Sequence, residues 1–543
     1  MAGMAAIAAL FGLVYACSLT FVYIEGDDAT SIAYHALGRL RPVQPPYSAY
    51  QSMMDAVLAL LPAREPVLRT AAMSMTALAA PVLVFLIVVL AYDWLGDRIR
   101  LSWPLAALLV PLAAPELIYL GLVYTPAMVS LAAAVGAHLL ARAACRQANG
   151  WAIARSPRFW ISAALFGAGV ACRWDVLAYG AIVAADLWIG PGIGGRRRER
   201  FTAAFAWGLA AFGAWLAAVW ANGFSPDLVW KIVRTAGPVE TYPGLAVAAA
   251  TIQTLATPAF VLLAGAGFIL LARQRNPLCW LVLVGFALTA RYIPFGVPKW
   301  FLIATPALAA CVLAGFSAAW EYRGSAARPL RFAIAACLAA PWLMGAQMLF
   351  GDSAYGPGFQ VRPFDRPVHR GGFFRPVLGA GALVPTSEGA RPLGGHAWVL
   401  LGGWRRIARE QADDLARAAS QAASTGLPIL QDYGQGLVVA ELAARGYTTR
   451  DPWKQEARTF VSANGRPIRV LRLHDRDDLF SPAGQARIEE MAGNRVVAFA
   501  YTSTLRRLYR AAPLSLRKLG ATAAVLDLGI LRETAAKMAD GAR

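Results

Sequence analysis

"YIEGDDATSIAYHALGR", Tyr23–Arg39, follows without a break on "AAIAALFGLVYACSLTFV", Ala5–Val22. The second stretch is long enough to cross a bilayer, because roughly 18–20 consecutive apolar residues span the hydrocarbon as a helix. The first sets Glu25, Asp27 and Asp28 where the chain leaves the lipid. Adjacent carboxylates repel each other and gain nothing from hydrocarbon. They are either an ordinary solvated loop or part of something at the membrane surface that needs them.

The rest of the chain favours a membrane setting. Of its 543 residues 58% are hydrophobic and 15% charged, with mean hydropathy +0.48. Apolar runs of spanning length recur up to about residue 350 and stop there. Spans are expected near 3–23, 69–93, 103–122, 125–143, 159–172, 176–191, 201–221, 256–272, 278–290, 301–320 and 332–349, eleven in all. The first run lacks a basic flank and a clean small-residue cleavage site, so it reads as a retained span, not a removed signal. The fold class that follows is a polytopic α-helical membrane protein with a smaller C-terminal portion outside the bilayer.

The formal net charge is +19. The basic residues sit in short loops between apolar segments and accompany no nucleic-acid-binding signature, so no nucleic-acid partner is expected. The six cysteines, Cys17, Cys145, Cys172, Cys279, Cys311 and Cys337, show no metal spacing and all precede residue 350, which argues against a zinc site or a disulfide framework.

Charge also orients the spans. "GDRIR", "RAACRQANGWAIARSPR", "GGRRRER", "RQR" and "EYRGSAARPLR" are short and arginine-rich, and they follow spans two, four, six, eight and ten. Such loops stay on the cytoplasmic side. The acidic first loop and the C-terminal portion then face the other side, which for a bacterial inner membrane is the periplasm or exterior. The remaining ionisable residues near spans are expected on that outer face: Asp27 and Asp28, Arg173 and Asp175 in "ACRWDVLAY", Lys231 and Arg234 in "PDLVWKIVRTAGPVETYP", and Arg291 and Lys299. Charges at a membrane edge are costly and tend to line a cavity.

The first outer loop, residues 24–68, is too long for a plain connection. "ATSIAYHALGRL" sets Ile32, Ala36 and Leu40 at helical spacing, and "SMMDAVLALLP" does the same for Met54, Val57, Leu58 and Leu61. Both suit short helices lying in the interface. Asp27 and Asp28 would cap the first of them. Alternatively one acts as a base or an anchor, its pKa raised by its neighbour and by partial desolvation. His35 shares roughly the same helical face as Asp28, where it either touches a sugar or phosphate or satisfies a local hydrogen bond.

These features together resemble the GT-C superfamily of integral membrane glycosyltransferases, which includes mannosyltransferase, arabinofuranosyltransferase and aminoarabinose-transferase types. A second stretch carries the likeness: "ARYIPFGVPKWFLIATPALAACVLAG", Ala290–Gly315, where a basic residue precedes an aromatic-apolar run and a proline-containing span, with Lys299, Phe301 and Pro306 in those places. The resemblance covers residues 1–350 in architecture. It implies transfer of a sugar, with inversion, from a polyprenyl-phosphate or polyprenyl-pyrophosphate donor to a hydroxyl of a glycan, lipid or protein acceptor, beside membrane lipids. It further implies Asp28 or Asp27 as base, Lys299 and Arg291 on the donor phosphate, and Arg173, Asp175, His35, Lys231 and Arg234 lining the cavity. For Arg173 and Asp175 a mutual ion pair closing a turn is the competing role, and for Lys231 and Arg234 a solvated face. A divalent metal, Mg or Mn, on Asp27 and Asp28 is left open; hard cations take carboxylate oxygens.

Beyond residue 350 the character changes. Residues 351–395 are Gly- and Pro-rich and read as a linker. Over 396–543, strand candidates "AWVLL", "LPILQ", "IRVLRL", "RVVAFAY" and "AAVLDL" alternate with helical "WRRIAREQADDLARAASQAAS", "GLVVAELAARG" and "AGQARIEEMA". The alternation predicts an α/β domain with a mostly parallel sheet. Two loops invite notice: "DYGQG", Asp432–Gly436, lacks dinucleotide or P-loop spacing and reads as a packing turn, and "HDRDDLF", His474–Phe480, reads as a solvated loop. A transporter or flippase of lipid-linked sugars is the alternative to an enzyme. It predicts internal repeats and mid-membrane charges, whereas no clear repeat relates the two halves and the charges are expected at one face. A polysaccharide polymerase or ligase is a third reading, related in chemistry; the long acidic first loop favours the transferase over both.

Overall fold

A computed structural model describes residues 65–114, 125–148, 150–173, 176–221, 258–289, 302–350, 383–386, 389–392, 404–431, 445–449, 457–472, 482–499, 512–520 and 523–533, with isolated residues between them. Of the expected first span only Leu10 falls within this set, and it is helical.

Ten helices account for the apolar part among the described residues: α1 (Glu65–Leu95), α2 (Trp103–Ala113), α3 (Thr125–Gln147), α4 (Pro157–Cys172), α5 (Leu177–Ile189), α6 (Arg197–Ala221), α7 (Pro258–Arg273), α8 (Leu278–Thr289), α9 (Thr305–Glu321) and α10 (Ala327–Phe350). Three stretches, Leu78–Arg98, Ala127–Gln147 and Arg197–Ala221, are long and apolar enough to cross a membrane; five described helices are shorter apolar rods. Several begin or end in polar residues outside the expected apolar window. α1 starts at Glu65 because a carboxylate and a proline suit a helix's first turn, and α6 starts at Arg197.

Helix contact in lipid is not driven by water exclusion, so close approach of small residues must supply it. That is how these helices meet. α7 crosses α9 where a Cβ on Gly267 would overlap the Cys311 carbonyl, and one on Gly315 the Leu263 carbonyl. α4 meets α6 at Gly167, where a Cβ would lie 2.6 Å from the Trp215 amide nitrogen. Ser162 ties three helices together: its hydroxyl donates to the Ala137 carbonyl of α3 at 2.6 Å and accepts from Trp207 Nε1 of α6 at 2.8 Å. Leu83, Val84, Ile87 and Val88 of α1 are wholly buried in the same core.

Successive helices run antiparallel, so their ends gather at two poles. Arg100 meets Glu321 at 3.3 Å, joining the loop after α1 to the end of α9. Arg331 donates to the Trp320 carbonyl at 2.6 Å and its guanidinium lies over the Trp320 ring. These contacts belong to the pole that collects the arginine-rich loops. Exposed Trp103, Trp151, Trp160, Trp188, Trp280 and Trp320 all stand near helix ends at this pole. Tryptophan favours the membrane–water boundary, where its ring is half in lipid and its N–H is wet. The opposite pole is marked by Trp342 Nε1 of α10 donating to the Leu112 carbonyl at the end of α2, 3.3 Å away.

The C-terminal portion contains a hairpin, β1 (Leu383–Thr386) with β2 (Gly389–Pro392), and a seven-stranded sheet. Its strands are β3 (Ile429–Gln431), β4 (Thr448–Thr449), β5 (Ala457–Val461), β6 (Pro467–Arg472), β7 (Arg495–Phe499), β8 (Leu516–Lys518) and β9 (Ala523–Asp527), in the order β4-β5-β6-β3-β7-β9-β8. Helices α11 (Trp404–Thr425) and α12 (Pro482–Ala492) accompany it. The sheet is mixed, not mostly parallel. β3 runs parallel to β6 and β7, and every other pairing is antiparallel. The reason is β5 and its hairpin to β6. β5 alternates buried and exposed positions, and Arg458 and Thr459 interrupt its apolar residues, so no apolar run announces it. Ser462 and the positive-φ Gly465 turn the chain back. The strand expected at Ala397–Leu401 lies outside the described residues.

Candidate functional site

Of the residues singled out from the sequence, the structure describes Arg173. Asp27, Asp28, His35, Asp175, Lys231, Arg234, Arg291 and Lys299 lie outside the described residues. Arg173 is the C-cap of α4, in extended backbone (φ −159°, ψ 114°), and only 4% exposed. A helix this apolar ends where a residue leaves helical dihedrals, and here the Arg173 amide still donates to the Gly169 carbonyl at 3.1 Å. Ser130 of α3 fixes the turn from the side. Its hydroxyl donates to the Gly169 carbonyl at 2.5 Å and reaches the Arg173 carbonyl at 3.3 Å. Gly169 allows the approach, since a Cβ there would stand 3.0 Å from the Ser130 carbonyl.

This turn lies at the pole opposite the arginine-rich loops. Thr289 ends α8 at the same pole, buried, with its hydroxyl donating to the Gly285 carbonyl at 2.9 Å. Leu302, Ile303 and Ala304 lead into α9 there, also buried, and a Cβ on Gly285 would meet Ala304 at 3.1 Å. Residues 290–301, which contain Arg291 and Lys299, join these two described ends; residues 222–257, which contain Lys231 and Arg234, join Ala221 to Pro258. α9 starts without a side-chain cap. Its first-turn N–H groups carry the positive end of the helix dipole toward this pole.

The expectation that ionisable residues near spans gather on this face needs correction. Apart from Arg173, the described buried charges of the helical bundle cluster at the other pole. Arg142 of α3 is fully buried and uses every nitrogen: Nε on Asp93 of α1, Nη1 on Asp186 of α5 at 2.5 Å, Nη2 on the Pro191 carbonyl at 2.7 Å. His138 bridges Asp186 Oδ2 at 2.7 Å and the Tyr179 hydroxyl at 3.1 Å. Arg146 pairs with Asp93 at 2.6 Å, and Arg200 of α6 donates to the Gly190 carbonyl at 2.7 Å. A buried ion pair is costly unless its remaining protons and lone pairs are met; here the backbone carbonyls of residues 190–192 take arginine protons, while Asp186 Oδ1 has no hydrogen-bond partner. The signal was present in the sequence: His138, Arg142 and Asp186 are charged or titratable residues inside expected spans. They bind α1, α3, α5 and α6 together. Asp186 Oδ1 lies where a Cβ of Gly190 would be, so this glycine leaves room for the carboxylate.

The bundle of apolar helices and the sheet-bearing C-terminal portion together have a fold that solved structures share. Two solved structures carry the likeness over nearly the whole length: ArnT from Cupriavidus metallidurans bound to undecaprenyl phosphate, with TM-score 0.52, and the same protein in the apo state, with TM-score 0.51. Each match is 14% identical and covers 96% of this chain and 97% of the other. No protein-family model and no curated protein sequence matches the chain.

Proposed function

We propose that the chain is a glycosyltransferase that moves a sugar from a polyprenyl-phosphate donor to a hydroxyl of an envelope glycan, lipid or protein, at the outer face of a bacterial inner membrane. The observation that carries this reading is the end-to-end fold likeness to a protein solved with undecaprenyl phosphate. The arginine-rich pole supports the orientation, since such loops stay in the cytoplasm. The turn that carries Arg173 and the segments that carry Arg291 and Lys299 then belong to the outer pole.

The chemistry follows from where the donor must lie. Its lipid tail stays in the bilayer while its phosphate and sugar sit at the edge. Asp28, or its neighbour Asp27, takes the acceptor proton as the hydroxyl attacks the anomeric carbon and the lipid phosphate leaves. Lys299 and Arg291 stabilise the charge that grows on the leaving phosphate, the arginine as a fork and the lysine as a point charge. Arg173, held by Ser130, adds positive charge at the same pole.

The test incubates purified protein with radiolabelled polyprenyl-phosphate sugars and extracted envelope acceptors. Product is expected with the unaltered chain. Asp27→Asn and Asp28→Asn together are expected to cut transfer by about 100- to 10,000-fold, the usual worth of a positioned base, while donor-lipid binding persists. Transfer that survives both changes refutes the base assignment, and a donor that is moved across the bilayer without transfer favours a flippase. Chelation with EDTA, followed by Mg or Mn, reads whether the acidic pair also holds a cation.

A further inference from the structure

We propose that the corner between α5 and α6 binds one anionic phospholipid, with Arg197 and Arg198 on its phosphate and an acyl chain laid along Phe201, Phe205, Leu209 and Phe212. The site requires only that these helices cross a bilayer, and it holds whatever sugar chemistry occurs at the opposite pole.

"GGRRRER" contains the one run of three consecutive cations in the sequence. Arg196, Arg197 and Arg198 are exposed where α6 begins, and their guanidinium groups have no hydrogen-bond or ion-pair partner among the described residues. Their neighbours are committed elsewhere. Arg200 turns inward and donates to the Leu187 and Gly190 carbonyls at 3.1 and 2.7 Å. Glu199, the acid of the run, is half-buried and accepts from the Arg196 amide at 3.0 Å. The turn beneath is also fixed: Arg142 and Arg146 hold the Pro191 and Gly192 carbonyls, and Ile193 is buried. The free arginines therefore stand on an ordered base, and little backbone freedom is lost when an anion binds.

The apolar half of the site lies on the same helix face. Phe201 is four residues from Arg197 and three from Arg198, so both cations neighbour its ring on the helix surface. Phe205, Leu209 and Phe212 continue the stripe, each about half exposed. Trp188, near the end of α5, meets the Phe201 ring with centroids 5.7 Å apart at 72°. Phe201 and Phe205 lie nearly parallel, 6.5 Å apart. From Phe201 to Phe212 the helix rises about 16 Å, close to the roughly 15 Å of hydrocarbon in one leaflet. The arginines thus fall at headgroup level, Trp188 at the boundary, and the stripe at acyl-chain depth.

This geometry narrows the ligand. Guanidinium groups take phosphate oxygens as forks. A zwitterionic headgroup brings its own cation, which the arginines repel, whereas a headgroup of net negative charge answers them. A soluble anion would leave the aromatic stripe unused. A general attraction between the basic pole and anionic lipid is the competing account. Arg273 and Arg275, exposed at the end of α7, separate the two, because α7 exposes no aromatic ring below them.

Full-length protein in nonionic detergent is titrated with phosphatidylglycerol and, separately, with phosphatidylcholine, and native mass spectrometry counts the lipid each chain retains. Phosphatidylglycerol is expected to bind at least about tenfold tighter, and Arg197→Gln with Arg198→Gln to weaken it about 30-fold, at about fivefold for each cation. Phe201→Ala with Phe205→Ala is expected to weaken it about tenfold through lost apolar contact. Arg273→Gln with Arg275→Gln should change it by less than about threefold, the residue of a general field. If the α6 arginine pair does not fold when changed, Arg198→Gln alone is read against a loss of about fivefold. Equal retention of the two lipids overturns the site, as does a control that costs as much as the α6 pair. Phenylalanine variants that bind as the unaltered chain does also overturn it. So does inorganic phosphate that displaces the lipid at equal concentration, since the contact would then be with an anion and not a lipid.

Discussion

Gly190→Ala probes the buried ionic cluster with a single methyl group. Gly190 has φ −63° and ψ 162°, dihedrals any residue adopts, so its role is spatial and not conformational. The added Cβ would coincide with Asp186 Oδ1 and crowd the Asp186 carbonyl. One of two things must give. If the carboxylate rotates away, it abandons His138 Nε2 and Arg142 Nη1. If the loop moves instead, Arg142 loses the Pro191 carbonyl and Arg200 the Gly190 carbonyl. Either route breaks two hydrogen bonds to charged groups, each worth about 1.5–3 kcal/mol. The sum agrees with the roughly 3–5 kcal/mol lost when one partner of a buried pair is removed. Gly208→Ala in α6 is the matched control, because a Cβ there meets nothing within 4 Å. It should be neutral or stabilise by about 0.5–1 kcal/mol, the helical preference for alanine. Buried Cys145 and Cys172 provide the readout: a thiol-reactive dye reports unfolding as they become accessible on heating. Gly190→Ala should unfold well below both the unaltered chain and the control. A midpoint equal to the control's would refute the cluster as the fastening of α1, α3, α5 and α6.

Other outcomes follow from the same packing. Gly315→Val should separate α7 from α9, since even a Cβ overlaps the Leu263 carbonyl, and protein recovered in folded form should fall sharply. Ser130→Ala removes the hydroxyl that holds the α4 C-terminal turn; a loss of about 1 kcal/mol is expected in thermal unfolding, together with weaker donor binding, whereas Ser130→Thr should retain both. With all six cysteines replaced, Arg155→Cys at the arginine-rich pole should label with an impermeant thiol reagent only when the cytoplasmic side is opened, and labelling in intact cells would invert the orientation.

Some of this was legible in the chain and some was not. Strands "LPILQ", "RVVAFAY" and "AAVLDL" are visible because central strands buried on both faces are continuous apolar runs, and "IRVLRL" because its buried Ile468, Val470 and Leu471 stand out around exposed Arg469. β4, β5 and β8 were not, because edge or one-sided strands lack that run, and their absence turned a mixed sheet into an apparently parallel one. Arg173 reads in the sequence as a charge beside a span, and the packed helices make it the buried C-cap of α4; Ser130, which holds its turn, is one serine among many until α3 and α4 are packed.

Run length and the placing of arginine are local properties, governed by bilayer thickness and by the cost of moving a cation across it. They can be read along the chain, and they yield the helical membrane class, the approximate helices and the two poles. Partnership between distant charges is not local. Asp93, Arg142 and Asp186 stand more than forty residues apart, and each alone looks like a costly error inside a span. Only packed helices show that their charges cancel and that Gly190 leaves room for one of them.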